Sequence, residues 1–299
     1  MGVEMNNGTN GNNFHGRNDE LNVRISGLIR DHVFSGSVGE KMMRASKDLQ
    51  VQYYKDCLAH LGEPSFIHDR NQRVLKDLAK VTNSKIVEGE EWINDFPKAS
   101  PALILLNHFS VYKLTGIEQA ELGVHYAKID VIPPPPIFSS SVFPVAEKLQ
   151  DNLYDAHLQL PGALGQIQEE GGFISVPPGA VDQFGLVLQE TKDFIASHKN
   201  SLIVSYPEGG TSGRTNNGGP FDMLDFRKGS FAIASQLDLP ILPIAQYFNP
   251  DSGFEIGIFK PMVLEKNKPR EYYKEVADNT RNQMQTWLDK RKSLTSKAK

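Results

Sequence analysis

Asn107-His108-Phe109-Ser110 follows directly on the uninterrupted apolar run Ala102-Leu103-Ile104-Leu105-Leu106. Such a run reads as a strand buried on both faces. The Asn-His pair then stands at its carboxyl edge, where open α/β sheets form their ligand crevices. An imidazole changes its charge near neutral pH, so it can exchange a proton with a ligand there. An isolated histidine is more often satisfied by local hydrogen bonds, so the case rests on what comes later in the chain. A second apolar run, Leu202-Ile203-Val204-Ser205, leads into Tyr206-Pro207-Glu208-Gly209-Gly210-Thr211-Ser212-Gly213-Arg214. Glycines let a backbone approach a ligand, hydroxyls and amides bind oxygens, and Arg214 can pair with phosphate. A third block is Phe226-Arg227-Lys228-Gly229-Ser230-Phe231, followed by Pro240-Ile241-Leu242-Pro243-Ile244. By itself it reads as a helix start and an edge-proline strand.

These segments need a scaffold to hold them. Lys85 to Gly89 and Ala102 to Leu106 read as strands, as do His125 to Ile132, Phe173 to Val176, Leu202 to Tyr206 and Ile241 to Tyr247. Helical patterns lie between several of them, at Phe184 to His198 and Phe226 to Leu237. That alternation predicts an α/β fold, with a central mixed, largely parallel sheet flanked by helices. Before it, apolar residues recur at helical spacing from Val38 to Leu61, with Ser37 as cap and Gly62-Pro64 as stop. A second helix is expected over Asn71 to Val81. At the other end Tyr273, Val276, Thr280, Met284, Trp287 and Leu288 line one face of a helix from Glu271 to Lys292. The expected organisation is a disordered tail over residues 1–18, an N-terminal helical segment over 19–84, and an α/β domain over 85–299. The tail is rich in Asn and Gly and has no apolar core of a secretory signal.

The 299 residues carry 32 Lys plus Arg and 36 Asp plus Glu, a formal net charge of −4. The acidic balance argues against nucleic acid as a partner. Cys57 is the single cysteine, which excludes an internal disulfide and fits a reducing compartment. The eight histidines are scattered, so no metal is expected. Val131 to Ala146 is uncharged but holds Pro133, Pro134, Pro135, Pro136 and Pro144, so it reads as a rigid loop and not as a spanning helix. Its Ile132, Ile137, Phe138, Val142 and Phe143 could line an apolar pocket or rest on a bilayer. No Gly-x-Ser-x-Gly elbow supports a hydrolase built on Ser110 or Ser205.

Taken in order, the motifs resemble those of the glycerolipid acyltransferases, the glycerol-3-phosphate and 1-acylglycerol-3-phosphate acyltransferases. The first motif of that family is Asn-His-x-Ser-x-x-Asp, and here the chain reads Asn107-His108-Phe109-Ser110-Val111-Tyr112-Lys113. Val87-Glu88-Gly89, Phe96-Pro97 and Ala127-Lys128 are similar to its flanking segments. Tyr206 to Ser212, Lys228 to Phe231 and Pro240 to Pro243 resemble the later motifs. The resemblance spans about Lys85 to Pro243.

The resemblance implies that an acyl group moves from acyl-CoA or acyl carrier protein to a glycerol phosphate or lysophospholipid-type acceptor, with no cofactor. It makes His108 the general base. It assigns Asn107, Ser110, Glu208, Gly209, Gly210, Thr211, Arg214 and Lys228 to the acceptor. It also implies a cytoplasmic protein working at a membrane surface. Two departures stand against it. Lys113 occupies the place of the aspartate that orients the histidine, and a cation there opposes imidazolium formation. No arginine follows Phe173-Ile174-Ser175, while the loop cation is displaced to Arg214; Arg227 and Lys228 could compensate. His125 and Asp130 have the spacing of the motif, but residues five apart on one strand face opposite sides. Glu118, Glu121 or Asp182 could supply the missing carboxylate. The alternative is a non-catalytic, lipid- or acyl-binding relative.

Overall fold

The computed structural model describes residues 38–94, 96–97, 101–109, 137–158, 162–176, 183–209, 212 and 218–297. In chain order the elements are α1 Val38–Ala59, α2 Pro64–Val81, β1 Lys85–Glu88, α3 Glu91–Asn94 and β2 Ala102–Leu106. Next come α4 Ile137–Ser140, α5 Phe143–Leu149, β3 Asn152–Leu158, α6 Gly162–Glu170 and β4 Ile174–Val176. The chain ends with α7 Gln183–Ser197, β5 Ser201–Ser205, α8 Gly229–Gln236, β6 Ile241–Asn249, β7 Gly253–Ile258 and α9 Arg270–Lys297.

The seven strands form one sheet in the order β1-β7-β6-β2-β5-β3-β4. All neighbours run parallel except β6 and β7, which are antiparallel. The chain is therefore an α/β fold on a mixed, largely parallel sheet. Register sorts the side chains by face. Ile104 pairs with Val204 and Leu242, and Val204 pairs with Asp155. Since alternate residues share a face, Ala102, Ile104 and Leu106 lie on the same side as Leu202, Val204, Leu153, Leu242 and Ile244. This layer packs with Val142, Val145, Ala146 and Leu149 of the α5 region, and with Ile93 and Phe96. Each such buried aliphatic side chain stabilises the fold by about 1.5–3 kcal/mol. The opposite face packs Leu103, Leu105, Ile203 and Ala245 against Phe231 of α8 and Ala277, Met284, Trp287 and Leu288 of α9. The α1–α2 pair has a smaller core of Tyr53, Cys57, Ile67, Val74 and Leu78, closed by Ile167 of α6.

Three expectations change. Pro64 starts α2 instead of only ending α1; proline fits the first helical turn, where its missing N–H has no intrahelical acceptor to reach. From Ile137 onward the proline-rich stretch forms two short helices, with Pro144 in the first turn of α5. The helix expected from Phe226 begins at Gly229, because the Arg227 N–H donates to the Pro207 carbonyl at 2.7 Å. Strands β3 and β7 were not expected. The strand expected over His125 to Ile132 lies outside the described residues.

Candidate functional site

His108 follows β2 directly and belongs by alternation to the same face as Leu106. Tyr206 follows β5 and shares a face with Val204. Gln246 of β6 and Asp155 of β3 complete that edge. The carboxyl ends of β2 and β5 and the interior of the flanking β6 and β3 thus bring an imidazole, a phenol, an amide and a carboxylate together. The α4–α5 segment covers them: Ser139, Ser140 and Ser141 are fully buried.

Asn107 is buried and engaged on the sheet. Its Oδ1 accepts the Gln246 N–H at 2.7 Å and its Nδ2 donates to the Gln246 carbonyl at 3.1 Å. Gln246 Nε2 donates to the Asn107 carbonyl at 2.8 Å, and Ser141 Oγ donates to Gln246 Oε1 at 2.5 Å. An asparagine imitating a backbone strand partner fixes the turn that presents His108.

Glu208 is the second clamp. Its carboxylate is 3% exposed, accepts the His108 N–H at 2.9 Å and the Leu224 N–H at 2.7 Å, and takes the Ser212 hydroxyl at 2.9 and 3.1 Å. The Ser212 N–H donates to the His108 carbonyl at 2.7 Å. Burial pushes the Glu208 carboxyl up to about 7, opposed by these hydrogen bonds and by the charge of Arg281. Gly209 has φ +62, and a Cβ there would stand 2.4 Å from Arg227 Nε, so the guanidinium lies against the loop backbone. Arg227 is exposed and Lys228 half-buried. Ser110, Gly210, Thr211, Arg214 and Lys113 lie outside the described residues, as do Glu118, Glu121 and Asp182. Ser205 Oγ shares a hydrogen bond with Ser230 Oγ at 2.7 Å.

The His108 ring meets the Tyr206 ring edge to face, with centroids 4.9 Å apart and planes at 81°. Tyr206 OH donates to Asp155 Oδ1 at 3.2 Å, and Ser139 Oγ donates to Asp155 Oδ2 at 2.6 Å. Burial pushes the Asp155 carboxyl up to about 6 despite those hydrogen bonds. Burial, and then the Asp155 charge, hold the Tyr206 phenol well above its ordinary range. Sequence reasoning missed Asp155. The available signal was an acid in the middle of Asn152-Leu153-Tyr154-Asp155-Ala156, a position that a buried strand fills with a charge only when a partner is present.

Residues 152–247 match the family model described as Acyltransferase. The match runs from β3 to β6 and includes the Pro-Glu-Gly loop. A comparison with curated proteins gives no match. Among solved structures, the chain is similar to the crystal structure of the 1-acyl-sn-glycerophosphate (LPA) acyltransferase, PlsC, from Thermotoga maritima. Identity is 16%, the alignment covers 83% of this chain and 94% of that one, and the TM-score is 0.45.

Proposed function

We propose that this chain, whose residues 152–247 carry the acyltransferase segment, moves a fatty acyl group from acyl-CoA or acyl carrier protein to a hydroxyl of a glycerol phosphate or lysophospholipid-type acceptor. His108 takes the acceptor's proton as general base. The hydroxyl oxygen attacks the thioester carbonyl, the C–S bond breaks, and the thiolate leaves with the proton from the imidazolium. One observation carries the reading: Glu208 of the Pro-Glu-Gly loop is hydrogen-bonded to the backbone of His108. Two segments 100 residues apart, each chemically suggestive, form one unit. Arg227, which lies against Gly209, supplies a cation for the acceptor phosphate, with Lys228 and Arg214 as further cations for it. Asn107 and Glu208 act by positioning. Among the described residues no helix is long and apolar enough to cross a membrane.

The test is acyl transfer from acyl-CoA and from acyl carrier protein to a panel of phosphorylated acceptors, comparing wild type with His108→Ala. Equal rates for the two proteins overturn the reading. Lys113 in place of the motif aspartate favours a second reading, a non-catalytic acyl- or lipid-binding relative. Under it the wild type binds acyl donors without turnover, and robust turnover ends it.

A further inference from the structure

The reaction proposed above needs an imidazole held in one orientation, and the motif position that would orient it holds Lys113. We propose that Asp155 is the positioning carboxylate for His108, acting through Tyr206: Asp155 anchors the Tyr206 hydroxyl, and the Tyr206 ring fixes the plane of the imidazole. The proposal rests on His108 being the base.

Four elements converge on this arrangement. Asp155 comes from β3, Tyr206 from the end of β5, His108 from the end of β2 and Ser139 from α4. Asp155 is 7% exposed and Ser139 is fully buried. Ser139 Oγ holds one carboxylate oxygen and Tyr206 OH the other, so both favour one orientation of the carboxylate. A tyrosine ring pinned at its hydroxyl cannot swing away from a neighbour. Its edge-to-face contact with His108 is a geometry that aromatic quadrupoles favour. The Tyr206 phenol is held above its ordinary range, so it stays a donor throughout the working pH range. Burial first, then Cys57 and the Asp155 charge, raise the Tyr54 phenol, and Glu208 holds the His108 backbone from the other side. Asp155 stands on the sheet face of the apolar Leu153 and Val204, with Ser139 and Tyr206 as its polar partners.

The experiment compares Tyr206→Phe, Tyr206→Leu and Asp155→Asn with the wild type. The ring resonances of His108, assigned by their loss in His108→Gln, are followed by NMR, and kcat and KM for acyl transfer are measured beside them. Tyr206→Phe keeps the ring and loses the hydroxyl, so it carries the test even where Asp155→Asn folds poorly. The expected result is displaced or broadened His108 resonances in Tyr206→Phe and Asp155→Asn. A fall of about ten- to a hundredfold in kcat with KM unchanged should accompany it, up to the loss that an ångström of misplacement produces, and Tyr206→Leu should lose more. His108 resonances identical to wild type in Tyr206→Phe overturn the proposal. If wild type and variants alike transfer no acyl group, the acyltransferase reading falls, while the NMR comparison still decides whether Asp155 and Tyr206 set the ring.

Discussion

Glu208 Oε1 accepts the backbone N–H of His108 at 2.9 Å, and the His108 carbonyl accepts the N–H of Ser212 at 2.7 Å. The Pro-Glu-Gly loop therefore holds the histidine segment from both sides of one residue. Replacing Glu208 with Ala removes the acceptor of three donors at once: His108 N–H, Leu224 N–H and the Ser212 hydroxyl. A base displaced by an ångström loses about 10²-fold in rate. Glu208→Ala should lower kcat by about that factor and, with three buried donors stranded, destabilise the fold by about 3 kcal/mol. Steady-state kinetics and urea unfolding of the same preparation check both. A variant that only raises KM would mean that Glu208 touches the acceptor instead.

The same carboxylate makes stability depend on pH. Burial raises Glu208 from 4.5 to about 7 and Asp155 from 3.8 to about 6. For an acid whose folded pKa is raised, the protonated form is the comfortable one. Its full contribution is present below the ordinary value and lost as pH rises through the raised one. Stability carried by these two groups should therefore fall between about pH 4 and pH 7. In Glu208→Gln its share disappears, so the wild type's advantage over that variant should shrink from pH 5 to pH 8, on the order of 2 kcal/mol. Urea unfolding at the two pH values measures it. Parallel curves for both proteins would rule it out.

Asn107 gives a prediction that separates two roles. Its side chain exchanges two hydrogen bonds with the backbone of Gln246, and the whole residue is buried. Asn107→Ala should cost about 2 kcal/mol, since the N–H and carbonyl of Gln246 lose their partners inside the sheet. The measurement is a melting curve beside the acceptor KM. A raised KM with unchanged melting would return Asn107 to the acceptor.

The sheet was legible where strands carry uncharged, mostly apolar runs: Ala102–Leu106, Leu202–Ser205 and Ile241–Tyr247 supply its centre. It was missed at β3 and β7, where an acid interrupts the apolar pattern. Asp155 in β3 and Glu255 in β7 are acids that tertiary partners tolerate, Ser139 and Tyr206 for the first and Arg291 for the second. A local pattern cannot show a partner 36 positions away. The site divides in the same way. His108 and Glu208 were visible because each follows an apolar run in a recognisable order of residues. That Glu208 would grip the His108 backbone, and that Asp155 would stand behind Tyr206, depends on the strand order β2-β5-β3. Spacing along the chain does not reveal that order.

Arg227 is predicted to act on substrate and not on the fold. Its guanidinium lies against Gly209 and its side chain is exposed. An exposed cation contributes little to stability, whereas a charge-assisted hydrogen bond to phosphate changes binding by about tenfold or more. Arg227→Ala should raise KM for a phosphorylated acceptor by about tenfold and leave the melting temperature in place. The same KM for variant and wild type would move the phosphate to other cations.

The far side of the sheet offers a test of how α9 is seated. A Cβ on Gly257 would stand 2.4 Å from Trp287 Cε2 and 2.7 Å from Nε1, inside any tolerable contact. The indole cannot retreat without cost, because Nε1 donates to Glu88 Oε2 at 3.2 Å and Arg291 on the next turn pairs with buried Glu255. Gly257→Ala should therefore lift α9 from β7 and destabilise the protein by about 1–3 kcal/mol, the usual range for an overpacked core. His108 sits at the carboxyl edge of β2, which is separated from β7 by β6, so the NMR signature of its ring should stay unchanged while the unfolding midpoint drops. Trp287→Leu removes Cε2, Nε1 and Cζ2, the atoms that meet the new Cβ, and a smaller loss from Gly257→Ala in that background than in wild type would confirm the contact as the cause. A Gly257→Ala protein as stable as wild type would show that Trp287 has room to move.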